Sequence, residues 1–355
     1  MKIIIFLLVA MSFIYCDEHT IFATVNHQSD NITFLDLKDP SNPTTISHES
    51  IESPTYIAYG DGIFIVISQN GLLAIDPNNT KDIIPIQNKH LSKPSSITFG
   101  GGYFVVNNFP NKNLVFIESK APYKATSIPL KNTSVGAHIG DGVFAVSNGE
   151  KGVLLVDAKN PTNIKKIIPD VETSYSMAYG GGFLGISTQG YQKAGKPGTI
   201  ILVDMKNPDK QPVIITDARA SRPIRIAYGG GFFIVLNYWS NNFTLVDPQN
   251  PKNYFVSERN DEYFSFPSDA VFGDGVFAIH NVHNEYAVFV DPKNPQKLRA
   301  VWSGPIRQIE FGGNCFAMIH DSDVTYITLA RSQGKSTSTV IDWNAEFLYD
   351  MTFSK

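Results

Sequence analysis

The chain has 355 residues, of which 43% are hydrophobic and 17% charged, with a net charge of −4. This apolar content is ample for a continuous core and excludes an intrinsically disordered chain. The weakly negative balance, with no basic run and no block of like charge, excludes a nucleic-acid footprint and a charged tail.

Residues 1–16, MKIIIFLLVAMSFIYC, have the pattern of a secretory leader. Lys2 supplies the positive start, and the apolar run over residues 3–14 is too short to span a bilayer comfortably. Cleavage is expected after Cys16, which leaves residues 17–355 as one domain, secreted or extracellular, in a lumen or at the cell surface. Removal of Cys16 would leave only Cys315, expected as a small, buried, unpaired residue, so the mature chain is expected to lack a disulfide. Asn31, Asn78, Asn132 and Asn242 each open an Asn-x-Ser/Thr acceptor at an expected strand end or turn. No further apolar run suggests a membrane span.

Beyond the leader the chain repeats itself. A glycine turn recurs as YGDGIF at 59–64, FGGGYF at 99–104, IGDGVF at 139–144 and YGGGFL at 179–184. It continues as YGGGFF at 228–233, FGDGVF at 272–277 and FGGNCF at 311–316. A second motif runs in step, with LDLKDP at 35–40, VDAKNP at 156–161, VDMKNP at 203–208, VDPQNP at 246–251 and VDPKNP at 290–295. A period of about 40 residues built from short strands and turns predicts β-propeller blades.

The unit at 54–87 predicts four strands, a at 55–59, b at 63–68, c at 72–75 and d at 83–86, joined as an antiparallel meander. An aromatic recurs in strand b at Phe22, Phe64, Phe104, Phe144, Phe183, Phe232, Phe277 and Phe316 and is expected to fill the seams between blades. Counting b strands gives eight blades, with seven as the alternative. The first b strand has no a strand before it, and residues 346–353 look like an a strand with no b after it. Pairing of 346–353 with 21–25 is therefore expected to close the ring and remove free sheet edges.

The copies LLVDAKNP at 154–161 and ILVDMKNP at 201–208 resemble the LVIVD repeat family of surface and secreted β-propellers. The resemblance covers most of the mature chain, although the copies at 116–118 and 327–329 depart from the motif. It implies a propeller and no particular chemistry. Asp36, Asp157, Asp204, Asp247 and Asp291 in this motif are expected to cap the following turn through the backbone. The glycine turns join strand to strand, so they provide no helix N-terminus for a phosphate.

Departures from the repeat point to one face, that of the b–c and d–a connections. The insertions at 189–198 and 258–267 fall there, and loops on a rigid scaffold tend to carry function. Candidate binding residues are Arg222, Arg225, Tyr238, Trp239, His280, His283, Arg307, His320 and Asp321. Arginine suits bidentate contacts to anions, and the group could form an anion or sugar patch. No ligand spacing calls for a metal and no motif for a cofactor. The sequence has no Gly-x-Ser-x-Gly elbow and no sialidase-type Asp box, so the leading expectation is a non-catalytic, monomeric scaffold for a protein or carbohydrate partner. The alternative is a hydrolase or lyase at the mouth of the ring using Arg222, His280, His320 and Asp321.

Overall fold

The computed structural model describes residues 20–353 except 41, 87–90, 92–93, 109–111, 131–133, 149–151, 169–173, 189–197, 303–305, 321–325, 331–338 and 343–347. The described residues form eight four-stranded antiparallel sheets, each a meander whose strands we label a to d from the inside outward. Blade 2 shows the unit: Tyr56–Gly60, Ile63–Ser68, Gly71–Asp76 and Asn79–Ile86. The expected strands were correct in number and order: b has the expected bounds, a is shifted by one residue, c gains one residue at each end and d gains four at its start.

The inner strands touch one another in an unbroken cycle around the ring. Blade 1 closes it as the sequence predicts. Its strands b to d come from the N-terminal side, and its inner strand is Leu348–Phe353, paired antiparallel with Ile21–Asn26 so that Phe22 faces Phe353 and Thr24 faces Met351. No inner strand is left with an unpaired edge toward its own blade.

Each a–b hairpin is a two-residue turn in which both residues have positive φ, for example Asp61 at 47° and Gly62 at 88°, or Gly230 at 58° and Gly231 at 90°. This is the primed turn whose twist matches the flanking strands. The first glycine of the motif answers to a different demand. Gly229 has ordinary φ, but a Cβ there would stand 1.9 Å from Cγ of Phe272 in the next blade. Gly60 is likewise covered by Phe99, Gly180 by Tyr228 and Gly273 by Phe311. At these positions, and at Gly100 beneath His138, the motif therefore writes both halves of one contact, a ring in one blade and a bare backbone in the blade before it; Gly140, with φ of 108° and nothing over it, is an exception.

The core lies in the seams. Separate buried clusters join blades 1 and 2, 2 and 3, and so on to 7 and 8. Rings meet edge to face across them, as with Phe34 and Phe64 at 5.4 Å, or Phe289 and Phe316 at 5.4 Å. Six of the expected seam aromatics are fully buried: Phe22, Phe64, Phe104, Phe144, Phe277 and Phe316. The other two expectations are corrected by one residue. Phe183 and Phe232 are half-buried, and Leu184 and Phe233 take the seam positions. Counting four residues from the first glycine places them correctly, whereas choosing the first aromatic does not.

The aspartate motif caps as expected. Oδ1 of Asp36, Asp157, Asp204, Asp247 and Asp291 each accepts the N–H two residues on, at 2.8–2.9 Å. Cys315 is fully buried, but it is disulfide-bonded rather than unpaired. The other cysteine of the chain, Cys16, lies outside the described residues, as does the whole leader.

Gly229→Ala should cost about 1–3 kcal/mol in urea unfolding, the range for overpacking. In a Phe272→Ala background the same change should cost far less, because the obstructing ring is gone. An equal cost in both backgrounds would show that the glycine does not seat the ring. Removing residues 348–353 should expose the edge of Ile21–Asn26, lower Tm and produce oligomers in size-exclusion chromatography; an unaltered monomer with unaltered Tm would contradict strand-exchange closure.

Candidate functional site

The b–c turns and d–a links share one face, and a tier of polar residues lies directly beneath it. The last residue of every b strand is polar and buried: Asn26, Ser68, Asn108, Ser147, Thr188, Asn237, Asn281 and His320. Buried polar groups need partners, and these tie the turns down. The Asn237 amide donates to Asn242 Oδ1 at 2.9 Å and to Thr244 Oγ1 at 3.0 Å, and Asn108 donates to Asn113 Oδ1 at 2.8 Å. Ser68 donates toward the carbonyls of Ser50 and Glu52, so it joins a b–c turn to a d–a link. The sequence reading missed this tier. Its signal is an apolar run that ends each time in Asn, Ser, Thr or His.

The insertion at 258–267 is a built loop. Asn260 Oδ1 accepts the N–H groups of Glu262 and Tyr263, and Phe264 is fully buried in the seam of blades 6 and 7. Asn241 holds the loop from the neighbouring turn, accepting from Phe266 N at 2.9 Å and donating to Asp261 at 2.8 Å. Residues 189–197 of the other insertion lie outside the described residues.

Above this support runs a ridge of rings. The guanidinium carbon of Arg222 lies 5.1 Å from the Tyr238 centroid and 4.6 Å from that of Trp239. Tyr238 stacks on Phe266 at 4.8 Å, and Phe266 meets His283 edge to face at 5.1 Å. Backbone bonds fix the clamp, Tyr238 N to Arg222 O at 3.1 Å and Trp239 N to Ser221 O at 3.2 Å. Arg222 and Phe266 both have positive φ, 57° and 56°, immediately before a proline. That conformation is costly for such residues. Trp239 is 38% exposed and Val282 45%, so the ridge ends in apolar surface open to solvent.

The sequence candidates thus divide. Arg222, Tyr238, Trp239 and His283 come together on the ridge. Arg225 belongs to the inner strand Pro223–Gly229, with Nε 2.7 Å from Asp269 Oδ1, and Asp269 raises its pKa. Arg307 lies half-buried at a bulge between Ile306 and Gln308 of the inner strand Ile306–Gly312. His280 is buried with Nδ1 3.1 Å from Ser268 Oγ, and burial pushes its pKa down. His320 is fully buried in the polar tier. Asp321 lies outside the described residues.

Among the described residues no three His, Cys, Asp or Glu side chains form a group able to hold a metal, and no helix is long and apolar enough to cross a membrane. Of the glycan acceptors, Asn78 is exposed and Asn31 half-buried, and Asn132 is outside the described residues. Asn242 is buried, its amide donating to Arg219 O and Ser257 O at 3.0 Å each. On the same face, at blades 1 and 2, a cavity of about 560 Å³ is lined by Asp30, His48, Glu49 and Glu52. It adjoins one of about 370 Å³ that shares Glu49 and reaches Asn70 and Leu91.

No family model and no curated protein matches the chain. Solved structures match its fold. Apo AztD from Citrobacter koseri superposes with a TM-score of 0.68 at 14% identity, over 94% of this chain and 97% of that one. The dihydro-heme d1 dehydrogenase NirN, in complex with DHE, gives 0.66 at 12% identity over 92% and 75%. BamB from Moraxella catarrhalis gives 0.58 at 9% over 84% and 87%. At these identities the likeness is one of fold, an eight-bladed ring, and carries no function with it.

Two sets of groups set the response to acid. The Arg219 guanidinium bonded to Asp217, at 2.7 Å, holds that carboxyl down to about 2. A carboxyl with a depressed folded value stabilises above its unfolded value and loses that contribution as pH falls toward 2. Burial depresses His138 and His280, so below the usual histidine value of about 6.5 the unfolded chain binds more protons than the folded one. Tm should therefore fall in two stages on acidification, one beginning near pH 6.5 and one below about pH 4. Asp217→Asn should flatten only the lower stage; a lower stage that persists unchanged in that variant would refute the assignment.

Proposed function

We propose that the protein is a non-catalytic binding scaffold of the LVIVD-repeat type, exported or displayed at a surface, that captures a protein or glycan partner with its b–c/d–a loop face. The observation that carries this reading is the Arg222 clamp. Surface arginines are usually mobile, and here a half-buried one is held over two rings, backed by strained backbone and by a tier of buried polar groups. Such rigidity lowers the entropy lost on binding, and Trp, Tyr and Arg are the residue types that dominate binding hot spots. The leader pattern and the exposed acceptor at Asn78 support export. A closed ring supports action as a monomer.

Catalysis at the mouth finds less support. The set Arg222, His280, His320 and Asp321 required both histidines at the surface, and they are 6% and 0% exposed. The dehydrogenase NirN has a similar fold, so the fold leaves chemistry open, but among the described residues no arrangement of groups on this face favours it.

Arrays of glycans and of surface proteins should give binding by the intact protein that falls by about 2 kcal/mol or more, the hot-spot range, in Trp239→Ala and in Arg222→Ala, with Tm within a few degrees of the parent. Equal binding by the parent and both variants would remove this face from consideration.

A further inference from the structure

Two d–a links, 216–222 and 257–266, and two b–c turns, 238–241 and 282–285, meet at the ridge. Backbone bonds join them: Trp239 N to Ser221 O, Asn260 N to Asn241 O, and His283 N to Ser265 O, each at 3.2 Å. The Asn284 amide adds a bond to Tyr263 O at 2.8 Å. The four segments therefore make one continuous surface. Lysine is the commoner base along the chain, yet these segments hold Arg219, Arg222 and Arg259 and no lysine. They also hold Tyr238, Trp239, Tyr263 and Phe266, each half-buried or exposed. Aromatic residues with arginine in place of lysine mark the contact surfaces of protein partners. The exposed apolar members are Trp239 and Val282.

Charge narrows the kind of partner. Two of the arginines are engaged at close range, Arg219 Nη2 with Asp217 at 2.7 Å and Arg259 Nε with Asp261 at 2.8 Å. The third, Arg222, lies over Tyr238 and Trp239. Glu258, Glu262 and Glu285 are exposed on the same segments. Five carboxylates thus stand against three guanidiniums, so exposed apolar side chains and a net negative charge share one surface.

A sulfated or sialylated glycan meets net repulsion on such a surface, and a neutral glycan gains nothing from the carboxylates. A protein segment with a large apolar side chain set between lysines or arginines matches both the apolar members and the charge. We propose that the ridge docks a basic segment of a partner protein, its apolar side chain packed on Trp239 and Val282 and its flanking cations facing Glu258, Glu262 and Glu285. This assignment rests on capture at the loop face and commits that site to a protein rather than a glycan.

The test is selection of a phage-displayed library of random linear peptides on the intact protein. Enriched peptides should carry net positive charge around one aromatic or large aliphatic residue. A synthetic copy of the most enriched peptide, titrated by fluorescence anisotropy, should bind at least about tenfold more weakly to Trp239→Ala. The triple variant Glu258→Gln/Glu262→Gln/Glu285→Gln keeps the Arg222 clamp; at unaltered Tm it should bind several-fold more weakly at low salt and lose most of the salt dependence. Lysine at the same three positions should turn the selection toward acidic peptides. No enrichment, enrichment of neutral or acidic peptides on the parent, or affinity indifferent to the three glutamates would each overturn the proposal. If the glycan arrays then show binding that depends on Trp239, capture at the loop face stands and only the class of partner falls. If neither peptide nor glycan binding depends on Trp239 or Arg222, both fall.

Discussion

Where a Cβ would stand on Gly229, the ring of Phe272 lies instead. The same exchange of a missing side chain for a neighbour's aromatic recurs around the ring, and it fixes how closely two blades approach and at what rotation. A four-stranded meander exposes two faces and is marginal alone. Each face becomes core only when the next meander is seated, so the seams, and not the individual sheets, hold the apolar clusters. The primed turn beside each glycine supplies the twist that brings the ring into place. The loop face is consequently rigid from below, which is why a strained clamp at Arg222 and Phe266 can persist there.

Much of this architecture was legible in the sequence because it is periodic. The glycine turn, the aspartate cap and the apolar b strand recur at a spacing that only stacked units satisfy, and residues 346–353 had no local partner, which forced the closure onto residues 21–25. The misreadings came where local resemblance competed with register. Phe183 and Phe232 look like Phe64 and Phe104, yet a one-residue offset sends a strand side chain to the other face, and Leu184 and Phe233 are the true equivalents.

The site was less legible because proximity in sequence was taken for proximity in space. Arg222 and Arg225 are three residues apart, but one lies in a link on the loop face and the other on an innermost strand, so they serve different surfaces. His280 and His320 were read as rim residues because they follow apolar strands. They end those strands instead, at or next to the position where Asn, Ser and Thr secure the turns, and burial makes them part of the scaffold. Cys315 was misjudged for a related reason, since treating the leader as absent removed the other cysteine from the count.

The composite first blade has a consequence for biosynthesis. Seven meanders can assemble from neighbouring residues as they emerge, but Ile21–Asn26 must wait for a strand made some three hundred residues later. Until that pairing forms, the molecule is an open arc with the strand Ile21–Asn26 lacking its inner neighbour and the last seam lacking its cover, so blade 1 is the latch whose engagement converts a row of sheets into a ring.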